Sequence, residues 1–344
     1  MMTLFFALLA SLLTLGLIYS LLPWAKQCGW VDSPRGIKRH VGDVPWIGGC
    51  VLWVVFFVLN VALGWHSPMH TLWLLGGWLF LFLGCWDDLH HVPAHYRLGI
   101  QFLLAGVLYF HFPLLVWPLA PFGSHELLMR LMESLFFLLA AGAVINGMNM
   151  LDGQDGLLAG VALTQWFWFL LLLTQGHSAP LAQSILLLMG ALLGFLILNV
   201  SWWGRSSARV FIGNSGSYVL GWSSVCFAAY VIVAGHHGVW RDSLAVLWIV
   251  YLPTLDCLAA VVRRAASATP LFHGDRGHVH HLLQRLGMSA GPSTCLLSLF
   301  SFVTGGVGYL VVHAGLPLVA FFLLYAATFF ALGGWVCWLD PKLM

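Results

Sequence analysis

Apolar residues run along this chain in about eleven long stretches, each near the roughly 20 residues needed to cross a hydrocarbon core. They lie at roughly 3–23, 46–64, 71–86, 98–118, 129–148, 157–175, 182–200, 211–233, 243–262, 292–312 and 316–338. Two are short enough that one could be a re-entrant segment. The pattern predicts an all-α polytopic membrane protein. No internal repeat or low-complexity linker divides it, so residues 1–344 read as one integral membrane domain. Its polar loops fall at about 24–45, 86–97, 149–156, 201–217 and 263–290.

Composition agrees with that pattern. The chain is 60% hydrophobic and 8% charged, with a mean hydropathy of +0.91; a soluble domain is nearer one quarter charged. The segment Met1 to Leu22 has no basic start and ends at Pro23-Trp24-Ala25-Lys26 instead of a small-residue cleavage site, so it reads as a retained span. Seven scattered cysteines without a close CxxC pair argue against a disulfide framework and against a zinc site.

The placement of charge says more than its sum. With the N-terminus outside and the C-terminus inside, the inner side holds Lys26, Arg35, Lys38, Arg39, Arg97, Arg205, Arg209, Arg263, Arg264, Arg276, Arg285 and Lys342. Only Arg130 and Arg241 are left outside. The acids sort the same way, so one membrane face carries nearly all the chemistry. Histidines on the other face, such as His70, His236 and His237, read as interfacial polar residues. Trp and Tyr at span ends read as interface anchors.

Five polar stretches stand out on the charged face. Asp87-Asp88, closing an apolar run and followed by His90, His91, His95 and Arg97, could bind a hard divalent cation through oxygen; a solvated helix cap would account for the pair equally well. Asn146, Asn149 and Asp152 recur at spacing three near one helical face, with Asp155 extending the series and glycines after both acids. A structural turn explains the Gly-Asp pairs but not two asparagines inside an apolar span. Gly213-Asn214-Ser215-Gly216-Ser217 resembles a turn with exposed amides that could hold phosphate or place a metal ligand, a weak local signal because these are also plain loop formers.

The fourth stretch, Asp256, Arg263, Arg264 and then His273-Gly-Asp275-Arg276-Gly-His278-Val-His280-His281, suits phosphate oxygens better than a transition metal, since no cysteine accompanies it. The fifth, Asp32 through Lys38-Arg39-His40 to Gly48-Gly49, carries a basic cluster suited to an anionic headgroup or phosphorylated lipid, or serving only as a topology signal.

In their joint order these stretches resemble the polyprenyl-phosphate N-acetylhexosamine-1-phosphate transferases of glycosyltransferase family 4. The match is to the bacterial branch that loads GlcNAc 1-phosphate onto undecaprenyl phosphate. The matched runs are Asp87-Asp88 with Arg97-Leu98 and Gln101, Asn149-Met-Leu-Asp152-Gly-Gln-Asp155-Gly156, Val210-Phe-Ile-Gly213-Asn214-Ser-Gly216-Ser217 and Asp275-Arg276-Gly-His278-Val-His280-His281. The resemblance implies about ten or eleven spans in the bacterial inner membrane and an active site facing the cytoplasm. It implies transfer of sugar 1-phosphate from a UDP-N-acetylhexosamine to undecaprenyl phosphate with release of UMP, Mg²⁺ (or Mn²⁺) as cofactor, and a role in starting a surface glycan such as O-antigen.

The site expected on that basis has Asp87, Asp88, Asp152 and Asp155 as catalytic carboxylates and Asp88 with Asn214 on the metal. Lys38, His40, Asn146, Asn149, Arg209, Arg264, Asp275, Arg276, His278, His280 and His281 are expected to face substrate. Asp87 is expected to contact or deprotonate the lipid phosphate. Membrane lipids and a homodimer fit the reading as partners; nucleic acid does not. One departure stands out: the family typically has Asp where this chain has Asn214, and Asn removes a formal charge beside the cation. An impaired, substrate-binding paralogue is therefore an alternative. A polytopic transporter is another, although transport would place its ionisable residues at mid-membrane rather than at one face.

Overall fold

The computed structural model describes residues 2–33, 42–65, 68–112, 126–174, 179–200, 208–234, 236–271, 276–315 and 317–338. Lys38, His40 and Asp275, all expected at the site, lie outside the described residues. The elements in order are α1 (Met2–Gln27), β1 (Val31–Asp32), β2 (Val44–Pro45), α2 (Gly48–Ala62), α3 (Pro68–His90), α4 (Ala94–His111), α5 (Glu126–Leu151), α6 (Leu157–Thr174) and α7 (Ala179–Asn199). There follow α8 (Gly213–Ala234), α9 (Val239–Ile249), α10 (Tyr251–Ala266), α11 (Val279–Arg285), α12 (Ala290–His313) and α13 (Leu318–Trp338).

The chain is an all-α polytopic membrane protein. Among the described residues eight helices are long and apolar enough to cross a bilayer: α1, α3, α5, α6, α7, α8, α12 and α13. A ninth span arises if α9 and α10 count together, although they meet at 68°. The sequence reads that region as one run over 243–262. The bend follows from Pro253, whose ring excludes the carbonyl four residues back and removes a backbone donor, so the helix breaks and restarts around Val250. Of the remaining expected stretches, α2 is apolar but short, and α4 carries Arg97 in its first turn.

Almost all of α8 is buried, whereas α1 and α13 leave most of their surface outward, as helices facing lipid do. Around α8 pack α3, α5, α2, α6 and α9. Apolar burial gains little between helices surrounded by hydrocarbon, so close approach and internal polar pairing carry more of the association. Ser223 and Ser224 of α8 accept the indole N–H groups of Trp73 (2.9 Å) and Trp166 (2.9 Å). Trp222 returns its own N–H to the Trp73 carbonyl at 3.0 Å. On the far flank Gly190 and Gly194 of α7 let the α1 backbone approach at Ala7 and Ser11.

The two-residue ladder adds an element the helical pattern did not foreshadow. Val31 pairs with Pro45 and Asp32 with Val44, and Trp30 stacks on Trp46. Beyond the ladder, Phe211 N–H donates to the Pro45 carbonyl (2.8 Å) and Gly48 and Gly49 N–H donate to the Phe211 and Ile212 carbonyls (3.0 and 2.9 Å). The start of α2 is thereby tied to the approach to α8.

Candidate active site

A helix start leaves backbone N–H groups without intrahelical partners, and an anion is the natural complement. At α8 that anion is Asp88, from the last turn of α3: Oδ1 accepts Asn214 N–H at 3.1 Å and Oδ2 accepts Ser215 N–H at 3.3 Å. Gly213, at φ +74, turns the chain into the helix. Residues 213–217 are therefore the first turn of a buried helix. Two close approaches permit this. Gly84 lies against the Ser215 backbone and Gly49 against Gly216, leaving no room for a β-carbon at either. Beside them the Cys50 and Cys85 thiols are 3.3 Å apart, and Cys50 reaches the Ser215 hydroxyl at 3.5 Å.

The third contributor is the end of α5. The Asn149 amide donates to Asn214 Oδ1 (2.9 Å) and to the Ser217 hydroxyl (2.8 Å). Asn146 turns instead to α4, where its amide donates to Gln101 Oε1 at 2.7 Å and to the Gly142 carbonyl at 2.8 Å. The helix ends at Leu151, so Asp152 and Asp155 do not continue the helical face expected for them. They sit in the turn 152–156, closed by Gly156 at φ +74, whose N–H donates to Asn199 Oδ1 at 2.8 Å. Asp155 Oδ2 accepts Ala208 N–H at 3.0 Å, and Gln154 donates to the Ala290 carbonyl and the Thr294 hydroxyl.

Asp87 is buried and points elsewhere than its neighbour. Its Oδ1 accepts Val92 N–H (2.7 Å), while Oδ2 accepts Arg97 Nη1 (2.9 Å) and the Tyr218 hydroxyl (2.7 Å). Arg97 Nη1 also donates to the Tyr218 oxygen at 2.7 Å.

The histidine stretch forms α11 and docks on the same turn. Asp256, fully buried, accepts from His278 Nδ1 (3.0 Å) and Val279 N–H (2.9 Å), anchoring the start of the short helix. His280 is fully buried with its ring against Gly153. Neither of its ring nitrogens has a hydrogen-bond partner among the described residues. Burial first, and then the His281 and His278 rings, push the His280 imidazole down to about 3. Burial also lowers His281, helped by His278, Arg276 and Arg285 and opposed by Gln284. Gln284 donates to Gln154 Oε1 at 2.6 Å, a second tie between α11 and the 152–156 turn.

The structure thus brings Asp88, Asn149 and Asn214 into one cluster, and the 152–156 turn links it to His278, His280 and His281. Arg264 donates to the Leu271 carbonyl at 2.6 Å, and Arg209 is exposed ahead of the start of α8. Arg276 is partly exposed, its carbonyl taking Arg285 Nη2 at 2.9 Å. Sequence reasoning missed Tyr218, Asn199 and Thr294. Tyr218 follows the Gly-Asn-Ser-Gly-Ser run directly, but an aromatic inside a span reads as packing bulk.

Among the described residues no three His, Cys, Asp or Glu side chains form a metal-holding group. Magnesium seldom needs one: it binds through one or two carboxylates and takes its other ligands from water and substrate phosphate. Asp88 and the Asn214 carbonyl oxygen, joined through the capped turn, are hard oxygen donors that fit such an ion.

The profile described as Glycosyl transferase family 4 matches residues 70–235, which run from α3 through α8. The chain is 28% identical over 312 residues to the undecaprenyl-phosphate alpha-N-acetylglucosaminyl 1-phosphate transferase of Escherichia coli, covering 90% of this chain and 84% of that protein. It is 28% identical over 336 residues to the Haemophilus influenzae protein of the same name (94% and 92%). For the Yersinia pestis protein the figures are 27% over 285 residues (83% and 77%).

Proposed function

Since this chain belongs to glycosyl transferase family 4, we propose that it transfers N-acetylhexosamine 1-phosphate, GlcNAc by preference, from a UDP-sugar to undecaprenyl phosphate. The observation that carries the reading is the meeting of Asp88, Asn149 and Asn214 from three distant stretches at the start of one helix. Relatives bearing the transferase name align over nearly the whole chain, which supports the same reading.

In this account an oxygen of the lipid phosphate attacks the β-phosphorus of the UDP-sugar. The bond from that phosphorus to the bridging oxygen breaks, and UMP departs with the electron pair. A lipid phosphate is largely ionised near neutral pH and hardly needs a strong base. The task of the protein is to hold two anions together in line. Asp88 and the Asn214 carbonyl oxygen would hold Mg²⁺, which would supply charge compensation for the pyrophosphate. Asn149 orients Asn214, and Asp152 and Asp155 shape the nucleotide side. Arg276, His278 and His281 meet phosphate oxygens and sugar, and His280 supports the 152–156 turn from beneath. Arg97 sits where its outer edge can receive a phosphate: Nε and Nη2 carry no hydrogen bond among the described residues, and its side chain is 27% exposed.

The remaining features belong to the same proposal. The chain spans the inner membrane about eleven times as a single domain, with its N-terminus outside and its catalytic loops in the cytoplasm, as the distribution of Lys and Arg supports. Its product starts a surface glycan such as O-antigen. Purified protein offered undecaprenyl phosphate, Mg²⁺ and a panel of UDP-N-acetylhexosamines tests the reading. UDP-GlcNAc should give UMP and a lipid-linked sugar in equal amounts. Passage of intact UDP-sugar into vesicles without UMP would identify a transporter instead.

A further inference from the structure

Asp87 cannot be understood one bond at a time. Its carboxylate accepts three hydrogen bonds, from Val92 N–H, Arg97 Nη1 and the Tyr218 hydroxyl. An ionised carboxylate has about four acceptor positions, so little is left for a substrate proton. Tyr218 has one proton, given to Asp87, and its oxygen takes the second hydrogen of Arg97 Nη1 at 2.7 Å. The three side chains close a ring across α3, α4 and α8, with Tyr218 fully buried and Asp87 3% exposed. Asp87 Oδ2 and the Tyr218 oxygen both accept from one atom, Nη1, and so fix the plane of the guanidinium, while Nε and Nη2 on its other edge carry no hydrogen bond among the described residues.

We infer that Tyr218 is a positioning residue for the proposed transfer: with Asp87 it clamps Arg97, and Asp87 serves the reaction through that clamp instead of taking a proton from the lipid phosphate. The inference rests on the transfer reaction proposed above and adds a residue outside the matched motif runs. Two observations favour a clamp over ordinary packing. A buried tyrosine needs only one partner for its hydroxyl, whereas this one makes two bonds, both to members of an ion pair. It also lies one helical turn beyond Asn214 on α8, so the helix start capped by Asp88 and the clamp on Asp87 move as one body.

A double-mutant cycle on the full-length enzyme tests this, using UMP release with UDP-GlcNAc, undecaprenyl phosphate and Mg²⁺. Wild-type turnover is measured first: its absence overturns the transfer reading itself, and the inference with it. Given wild-type turnover, Tyr218→Phe removes both bonds at nearly constant volume. It should lower kcat on the order of tenfold to a hundredfold, as a misplaced charged donor does, with KM for UDP-GlcNAc moved less than about threefold. Asp87→Asn should retain measurable turnover, because the amide oxygen, placed where Oδ2 lies, still accepts from Arg97 and the Tyr218 hydroxyl while only the Val92 bond is lost. The double variant should be no worse than the poorer single variant. Thermal unfolding of each variant separates lost clamping from lost fold. If Tyr218→Phe does not fold, Arg97→Lys against Asp87→Asn runs the same cycle. Overturning results are a Tyr218→Phe enzyme with wild-type kcat, or Asp87→Asn and Tyr218→Phe losses that multiply independently.

Discussion

The side-chain amide of Asn149 donates to Asn214 Oδ1 at 2.9 Å, joining the end of α5 to the first turn of α8 across 65 residues of sequence. This bond bears on the departure at position 214. A carboxylate there would accept the same hydrogen bond, so Asn214→Asp should keep the geometry while adding a formal charge beside the cation. The Mg²⁺ concentration for half-maximal UMP release should then fall, by about tenfold if the charge is worth roughly 1.4 kcal/mol to binding. An unchanged Mg²⁺ titration would mean that position 214 is not on the metal.

Asn149 makes two bonds into α8, so its loss should cost more than a single surface contact. Asn149→Ala takes the amide donor from Asn214 Oδ1 and leaves the Ser217 hydroxyl with only its bond to the Asn214 backbone carbonyl, and kcat/KM should drop about a hundredfold, near 2.7 kcal/mol. Asn146→Ala breaks the amide pair with Gln101 and the bond to the Gly142 carbonyl, neither of which reaches α8, and should lower thermal stability with a much smaller effect on kcat/KM. Steady-state kinetics and thermal unfolding of the two variants, side by side, check the contrast.

Close backbone approach at Gly84 is the condition for Asp88 to reach the start of α8. A β-carbon there meets the Ser215 backbone, which cannot move as a flexible side chain would. Gly84→Ala should therefore destabilise the fold by about 1–3 kcal/mol and weaken the cap, which a lowered unfolding temperature together with reduced turnover would register. Gly99→Ala, in the interior of α4 where nothing lies within 4 Å of the added carbon, should lower neither.

Burial of His280 makes stability depend on pH with a definite sign. Its folded value, about 3, lies below the ordinary histidine value near 6.5, so the unfolded chain binds the proton more readily. The stabilisation is whole above about pH 6.5 and is lost progressively as pH falls toward the folded value, amounting to about 2 kcal/mol by pH 5. The depressed His281 adds in the same direction. Thermal unfolding at pH 7.5 and pH 5 should show a larger drop for wild type than for His280→Gln.

Much of the fold was legible because crossing hydrocarbon demands long apolar runs, and the helices α1, α5, α6, α7, α8, α12 and α13 lie close to the stretches read from hydropathy. The α9–α10 bend was not, since both halves are apolar and only Pro253 marks the break. Within the site, the motif runs located Asp88, Asn149, Asn214 and His278, but spacing could not say how they meet. Asn146 shares a helix with Asn149 yet pairs with Gln101, a difference of partner that sequence spacing does not encode. Asp87 and Asp88 read as one unit, whereas adjacent helix positions point about 100° apart, sending one to Tyr218 and the other to the α8 start. The Asp87–Tyr218 bond joins residues 131 positions apart, and only packing of α3 on α8 creates it.

In the proposed reaction Asp88, at the start of α8, organises a cation-dependent transfer of sugar phosphate to a lipid acceptor. UMP release by the purified protein, measured with UDP-GlcNAc, undecaprenyl phosphate and Mg²⁺, tests it most directly when wild type and Asp88→Ala are compared. Release should require both acceptor and Mg²⁺ and fall at least about a hundredfold in Asp88→Ala. No release by wild type under these conditions, or equal release by the two proteins, would contradict it.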